Sequence, residues 1–400
     1  MKIVITNIGT IVSGDWRNPL IDGDSIAIAD GRFTSVGSVS AEEIEACDLL
    51  IDANGATACP GLIDSHVHNS FGDYTPKQQA VGFLQSYLHG GTTTCISASE
   101  VHVAGRPKDR EGVKALAVAA YKCFENYRPG GMRVHGGSVI LEPTLQPEDF
   151  AELRKEGLWL AKAGFGSVNT PYDYVPLVRA AREAGFIVNV HTGGASISLG
   201  NSIHGEHLLA MKPDVAFHVN GGPIAMPDED FKRVIEESSI ALQICQAGNI
   251  RTSLLCVNLA VEHNAFDRVL IATDTPTGTG MMPLGMIKTV TEMATLTDYP
   301  AEWMIAAATG NNAQVYRLET GFLKPGKIAD LLLVDAPMGG TQKNCLAAIK
   351  HGDVWSLAGC ITEGVPRFIG RSRNTPPPLR TPKVVRSRVV QDFSTAQQFS

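Results

Sequence analysis

The sequence predicts an α/β chain: a (β/α)8 TIM barrel carrying a small β-sandwich domain formed by both chain ends. Three observations predict it. Between Gly61 and about Gly310, apolar β-branched runs alternate with longer helical stretches, the texture of parallel strands joined by helices. Eight such runs can be counted, the number that closes a barrel. On either side of them the chain reads as short β runs with turns. The boundaries expected are residues 1–59 plus 319–371 for the sandwich, 60–318 for the catalytic barrel and 372–400 for an extended C-terminal arm.

Taken in order, the N-terminal unit has strand patterns at Lys2 to Asn7, Ser25 to Ala29, Arg32 to Val36 and Leu49 to Asp52, with a hairpin turn at Asp30-Gly31-Arg32. The eight barrel runs are Leu62 to His68, Thr92 to Ala98, Arg133 to Leu141, Leu158 to Ala163, Phe186 to His191, Val215 to Asn220, Ile240 to Gln246 and Arg268 to Asp274. Helices are expected between them, among others at Pro147 to Glu156, Tyr174 to Ala184 and Pro227 to Glu237, with Pro, Asp or Asn openings. A further helix is expected over Met304 to Leu318. Gly321 to Asp335 then returns to a turn and a strand that rejoins the N-terminal sheet. The tail from Ser372 carries Pro376-Pro377-Pro378, which can neither run as a helix nor pair continuously in a sheet, so an arm laid on a neighbouring subunit is expected.

Composition excludes several classes. With 34 Lys and Arg against 41 Asp and Glu, the net charge is −7, and no basic run tracks a phosphate backbone, so a nucleic acid partner is not expected. No apolar stretch is long enough to span a bilayer, and the start of the chain lacks a signal-peptide pattern. The eight cysteines are scattered without Cys-x-x-Cys pairs, which fits reduced thiols and a cytoplasmic location.

Chemistry gathers at the strand ends. The first run ends His66-Val67-His68, two imidazoles on one face of a strand. The fourth carries Lys162, the fifth ends at His191, the sixth at His218-Val219-Asn220 and the eighth at Asp274-Thr275-Pro276. Barrel enzymes collect their reactive groups at the carboxyl ends of strands, so these six side chains can converge although they are far apart in the chain. A lone strand-end histidine is more often a hydrogen-bonded structural residue, as expected for His89, His102, His135, His204 and His351. Lys162 differs, because its neighbours are apolar or small, and a lysine inside a barrel strand is costly unless neutralised or paired.

One way to neutralise it is reaction with carbon dioxide, giving an N6-carboxylated side chain whose two oxygens can bridge two cations. The set then becomes two His and Asp274 on one divalent metal ion, two His on a second, and Lys162 between them. Nitrogen and oxygen ligands without thiolate favour Zn²⁺, with Fe²⁺ or Mn²⁺ as alternatives. Such a pair holds a hydroxide at neutral pH and polarises a carbonyl, and Asp274 beside it can pass a proton to a departing nitrogen.

These residues resemble the metal-dependent amidohydrolase superfamily. The likeness rests on Pro60 to His68, on the Lys, His, His and Asp of strands four, five, six and eight, and on Gly326 to Leu331, which resembles that family's return into its small β-sandwich. Segments such as His191-Thr192-Gly193-Gly194 and His218-Val219-Asn220-Gly221-Gly222-Pro223 are similar to the enamidases, whose likeness implies a glutamate at the bridging position, where this sequence has Lys162. The resemblance implies His66, His68, Lys162, His191, His218 and Asp274 as metal ligands and Asp274 as the catalytic proton shuttle. It implies hydrolysis of the C–N bond of a cyclic amide, enamide or imide, a small-molecule substrate touched by Tyr74 and held by Arg106 through a carboxylate, and a homodimer or homotetramer. A deaminase of the same superfamily and a non-catalytic scaffold of the same fold are the alternatives.

Overall fold

A computed structural model of the chain describes residues 1–69, 82–101, 105–196, 200–221, 224–276 and 280–389. The barrel strands run at Leu62–Val67, Thr92–Ser97, Arg133–His135 with Ser138–Ile140, Leu160–Ala163, Ile187–His191, Val215–Phe217, Ala241–Cys245 and Val269–Ala272. Neighbours pair in parallel, the first three in one ladder and the third to the eighth in another. A parallel bridge between Val67 and Thr275 joins the first strand to the end of the eighth and closes the ring. Two backbone bonds flank it, Asp274 N to His66 O at 3.0 Å and His68 N to Thr275 O at 2.7 Å.

Strand three was expected as one run and is two. It breaks at Gly136-Gly137, where a Cβ on Gly136 would stand 2.7 Å from Ala120 O of the helix Arg110–Glu125, and Gly137 has φ of 88°. The carboxylate of Glu100 replaces the lost ladder bonds, its Oε1 accepting from Gly137 N at 2.7 Å, Ser138 N at 3.1 Å and Ser97 Oγ at 2.6 Å.

Inside the barrel, Ile63, Ile96, Leu160, Ile187, Val215, Phe217 and Leu270 fill the layers below the strand ends. Outside it, Leu62, Val188, Ile271 and their neighbours pack on helices Pro147–Lys155, Tyr174–Glu183, Asp228–Glu237 and Ile250–Glu262 through Phe150, Val178, Phe231 and Val257. The helix expected over Met304 to Leu318 is two, Ala301–Ala307 and Gly310–Val315. Ala308 O, which a continuous helix would use, accepts instead from Ile63 N at 2.9 Å on strand one, and Asn312 Nδ2 ties Ala307 O to Ile271 O.

Both chain ends build two stacked sheets. One runs Lys383–Ser387, Leu49–Asp52, Lys2–Thr6, Ser25–Ala29, Arg32–Gly37; the other runs Val365–Ile369, Ser356–Thr362, Leu331–Asp335, Thr57–Pro60, Thr10–Val12, Leu20–Ile21. Ile3, Ile5, Ile28 and Ile51 of the first meet Ala58, Leu331, Leu333 and Ile361 of the second. Leu331–Asp335 pairs with Thr57–Pro60, where the return was expected.

The arm expected over 372–400 is corrected as far as residue 389, and 390–400 lie outside the described residues. Residues 372–389 lie on their own chain, since Lys383–Ser387 pairs antiparallel with Leu49–Asp52 and Arg380 forms an ion pair with buried Asp335 at 2.6 Å. The prolines end before Lys383, so they do not forbid the ladder. No helix among the described residues is long and apolar enough to cross a membrane.

Candidate metal centre

The barrel closure sets the first group of side chains. A register shift between Asp64 and Val67 interrupts strand one. Asp64 holds the irregular turn, accepting from His66 N at 3.2 Å, Thr273 N at 3.1 Å and Thr273 Oγ1 at 2.5 Å. Asp274 leaves strand eight in a left-handed conformation, φ 60°, and His218 leaves strand six at φ 35°. Each such residue costs about 1–3 kcal/mol, and here the turn swings a side chain over the barrel axis.

The result is a buried cluster. Nε2 of His66 and Nε2 of His68 lie 3.0 and 3.2 Å from Asp274 Oδ1, and one ligand atom from each of the three falls within 4.8 Å of the others. Across from them, Nδ1 of His191 faces Nε2 of His218 at 3.2 Å, while His191 Nε2 stands 2.8 Å from Gly194 O. The His66 and His218 ring centroids are 5.4 Å apart.

These separations fit a cation site. Two donors bound tetrahedrally at 2.0–2.1 Å lie about 3.3 Å from each other, which is the spacing seen in both groups. A carbonyl can only accept, so His191 carries its proton on Nε2 and turns a lone pair toward His218.

Charge in the cluster is shaped by burial. Burial holds the imidazolium forms of His66 and His191 down to a pKa of about 4, and His218 well below its ordinary value, so the rings are neutral donors at physiological pH. Burial pushes the Asp274 carboxyl up, but His66, His68 and His218 outweigh it and hold the group well below the usual carboxylate range.

Lys162 is fully buried, its Nζ 3.9 Å from the Phe217 ring centroid and 5.5 Å from that of Phe165. Burial lowers its pKa from 10.5 to about 7. It interacts electrostatically with Asp274, His66, His191 and His218. The six side chains singled out in the sequence therefore meet at one end of the barrel.

The two expected substrate contacts fare differently. Tyr74 lies outside the described residues. Arg106 is buried in an ion pair with Glu142 and also donates to Phe165 O at 2.7 Å and Pro107 O at 2.9 Å. Its guanidinium is thus spent on the protein rather than held open as a carboxylate clamp, with the Glu142 carboxylate just past strand three as its charge partner.

Sequence reasoning missed Gln243, whose Oε1 lies 2.7 Å from His66 Nδ1. It also missed Phe217, whose ring centroid lies 4.0 Å from that of His66, tilted by 36°, and 3.9 Å from Lys162 Nζ. A signal for Gln243 was present: it is the one polar residue of the strand Ala241–Cys245, which is otherwise apolar.

Comparison with known proteins agrees with this geometry. Residues 57–354 match the model of the Amidohydrolase family. The chain is 41% identical to enamidase of Eubacterium barkeri over 385 residues, covering 96% of this chain and 100% of that one. A crystal structure of enamidase superposes with a TM-score of 0.92 over the same share of both chains. An adenine deaminase of Mesorhizobium japonicum is 27% identical over 347 residues, 81% of this chain and 53% of the relative, so the chain spans about half of that protein.

Proposed function

The chain belongs to the amidohydrolase family, and on that premise we propose that it is a metal-dependent hydrolase of non-peptide C–N bonds that opens a cyclic amide or enamide. Similarity to enamidase along 96% of the chain supports the bond class. The observation that carries the reading is the pair of donor groups, His66, His68 and Asp274 on one side and His191 with His218 on the other, meeting beside Lys162.

These residues would hold two divalent cations, Zn²⁺ first and Fe²⁺ or Mn²⁺ next on donor chemistry. When bound, the cations supply a water of lowered pKa and an electrophile for the substrate carbonyl.

Lys162, once carboxylated, would supply further oxygen ligands to the cations. With its pKa near 7, the amine is substantially neutral at physiological pH, and a neutral amine adds carbon dioxide: the N–C bond forms, one proton leaves, and a carbamate with two oxygens remains. The Phe217 and Phe165 rings keep that group dry. Asp274, held ionised by its histidine neighbours, takes the proton of the attacking water and returns it to the departing ring nitrogen. Gly194 O and Gln243 Oε1 fix the rings of His191 and His66, so donor directions do not drift during turnover. The substrate is a small molecule, and the chain assembles as a homodimer or homotetramer.

The test is hydrolysis of a panel of cyclic enamides, saturated cyclic amides and aminated heterocycles, each with and without a ring carboxylate, by protein loaded with Zn²⁺ or Fe²⁺ in bicarbonate buffer. Ring opening with the highest kcat/KM on the enamides supports the reading. Ammonia release from the aminated rings without ring opening overturns it.

A further inference from the structure

Below the donor cluster, five polar side chains form a line through the barrel interior, and all five are buried. His66 Nδ1 faces Gln243 Oε1 at 2.7 Å, and Gln243 Nε2 donates to Ser65 Oγ at 2.8 Å. Ser65 hydrogen-bonds the Tyr316 hydroxyl, which donates to Asn189 Oδ1 at 2.9 Å. Around them lie Ile63, Ile187, Val215, Phe217 and Leu270, so the polar atoms find their partners within the line, Asn189 Nδ2 excepted, which has none among the described residues.

Such a line has a direction. A phenol and a serine hydroxyl carry one proton each. Tyr316 gives its proton to Asn189, so the Ser65 proton goes to the Tyr316 oxygen, and Ser65 Oγ is left to accept from an N–H. That requirement turns the Gln243 carboxamide with its NH₂ toward Ser65 and its oxygen toward His66. An amide oxygen only accepts, so the His66 proton sits on Nδ1 and Nε2 is left to share a cation with Asp274 Oδ1, 3.0 Å away. Run in the opposite direction, the line would present the amide NH₂ to Nδ1, place the imidazole proton on Nε2 and block the donor atom.

We propose that Gln243 is a positioning residue that locks His66 in its cation-binding tautomer, with its own orientation set by Ser65, Tyr316 and Asn189, and that this line sets the affinity of the His66, His68 and Asp274 site for a divalent cation. The inference rests on the metal-site reading above. It adds that the barrel core, and not only the strand ends, determines metal affinity.

The experiment is titration of metal-free protein with Co²⁺, followed by its visible absorption, for the wild type, Gln243→Glu, Gln243→Met and Tyr316→Phe. Gln243→Met keeps the volume but removes the acceptor and is expected to weaken binding about 10–100-fold. Gln243→Glu keeps an acceptor facing Nδ1 and is expected to restore binding to within a few-fold of wild type. Tyr316→Phe releases the direction of the line, so long-range ¹H–¹⁵N spectra of the metal-free protein should show His66 change from the Nδ1–H form to a mixture. Equal melting of the metal-free Met and Glu variants separates the effect from a loss of packing. The proposal is overturned if Gln243→Met binds Co²⁺ as tightly as wild type, if Glu and Met lose affinity equally, or if wild-type His66 carries its proton on Nε2. Failure of the wild type to bind Co²⁺ at all would instead overturn the metal-site reading, and this inference with it.

Discussion

Nδ1 of His191 and Nε2 of His218 face each other at 3.2 Å, although 27 residues separate them in the chain. With the His191 proton committed to Gly194 O, Nδ1 of His191 turns a lone pair into this contact, and in the proposed centre both nitrogens would hold the second cation. His191→Ala and His218→Ala should therefore each remove about one equivalent of bound metal and leave the other at the His66, His68 and Asp274 site. Elemental analysis of the purified variants reads this directly, and full loading of both would contradict the assignment.

Asp274 sits within hydrogen-bond distance of both His66 and His68. Asp274→Asn keeps the shape but cannot take a proton, so kcat should fall by about 10²–10⁴-fold. Steady-state kinetics with metal content measured in parallel separates this loss from a loss of loading.

The ion pair of Arg106 and Glu142 is almost fully buried, with side-chain exposures of 3% and 1%. Glu142→Ala leaves the guanidinium without its charge partner, and breaking a buried pair on one side costs about 3–5 kcal/mol. Denaturant unfolding should show that loss, and replacing both residues together by Met and Leu should recover much of it.

His135 gives a pH prediction away from the centre. Burial, then Arg133 and Arg128, hold its pKa down at about 3 against an ordinary 6.5, and its Nε2 is sealed from water without a hydrogen-bond partner among the described residues. Below 6.5 the unfolded chain binds a proton that the folded chain refuses, so stability is present in full above that pH and is lost as pH falls toward 3. His135→Leu should flatten this acid limb. Urea midpoints at about pH 7 and about pH 5 check it, and an unchanged difference between them would count against the account.

Much of this was legible in the sequence for a physical reason. Parallel barrel strands are covered on both faces, so they read as continuous apolar runs, and His66, His68, Lys162, His191, His218 and Asp274 stand out because polar groups at such positions need a partner. What was not legible depended on contacts between distant segments. The helix expected over Met304 to Leu318 breaks because Ile63 N takes a carbonyl that the local pattern assigns to the helix. Strand three breaks because Gly136 passes close to the Ala120 carbonyl. Arg106 reads as a ligand clamp in the sequence because its acidic partner, Glu142, lies 36 residues away. Gln243 carries no charge, so only its place in an apolar strand could have marked it.

The central claim is that Lys162 is a bridge between two cations, and a crystal structure of the metal-loaded protein grown in bicarbonate tests it most directly. The account predicts a carboxyl group in density joined to the Lys162 Nζ, with anomalous signal from a cation on each side of it, one among His66, His68 and Asp274 and one beside His191 and His218. An unmodified ammonium at Lys162 with no metal signal beside it would contradict the account.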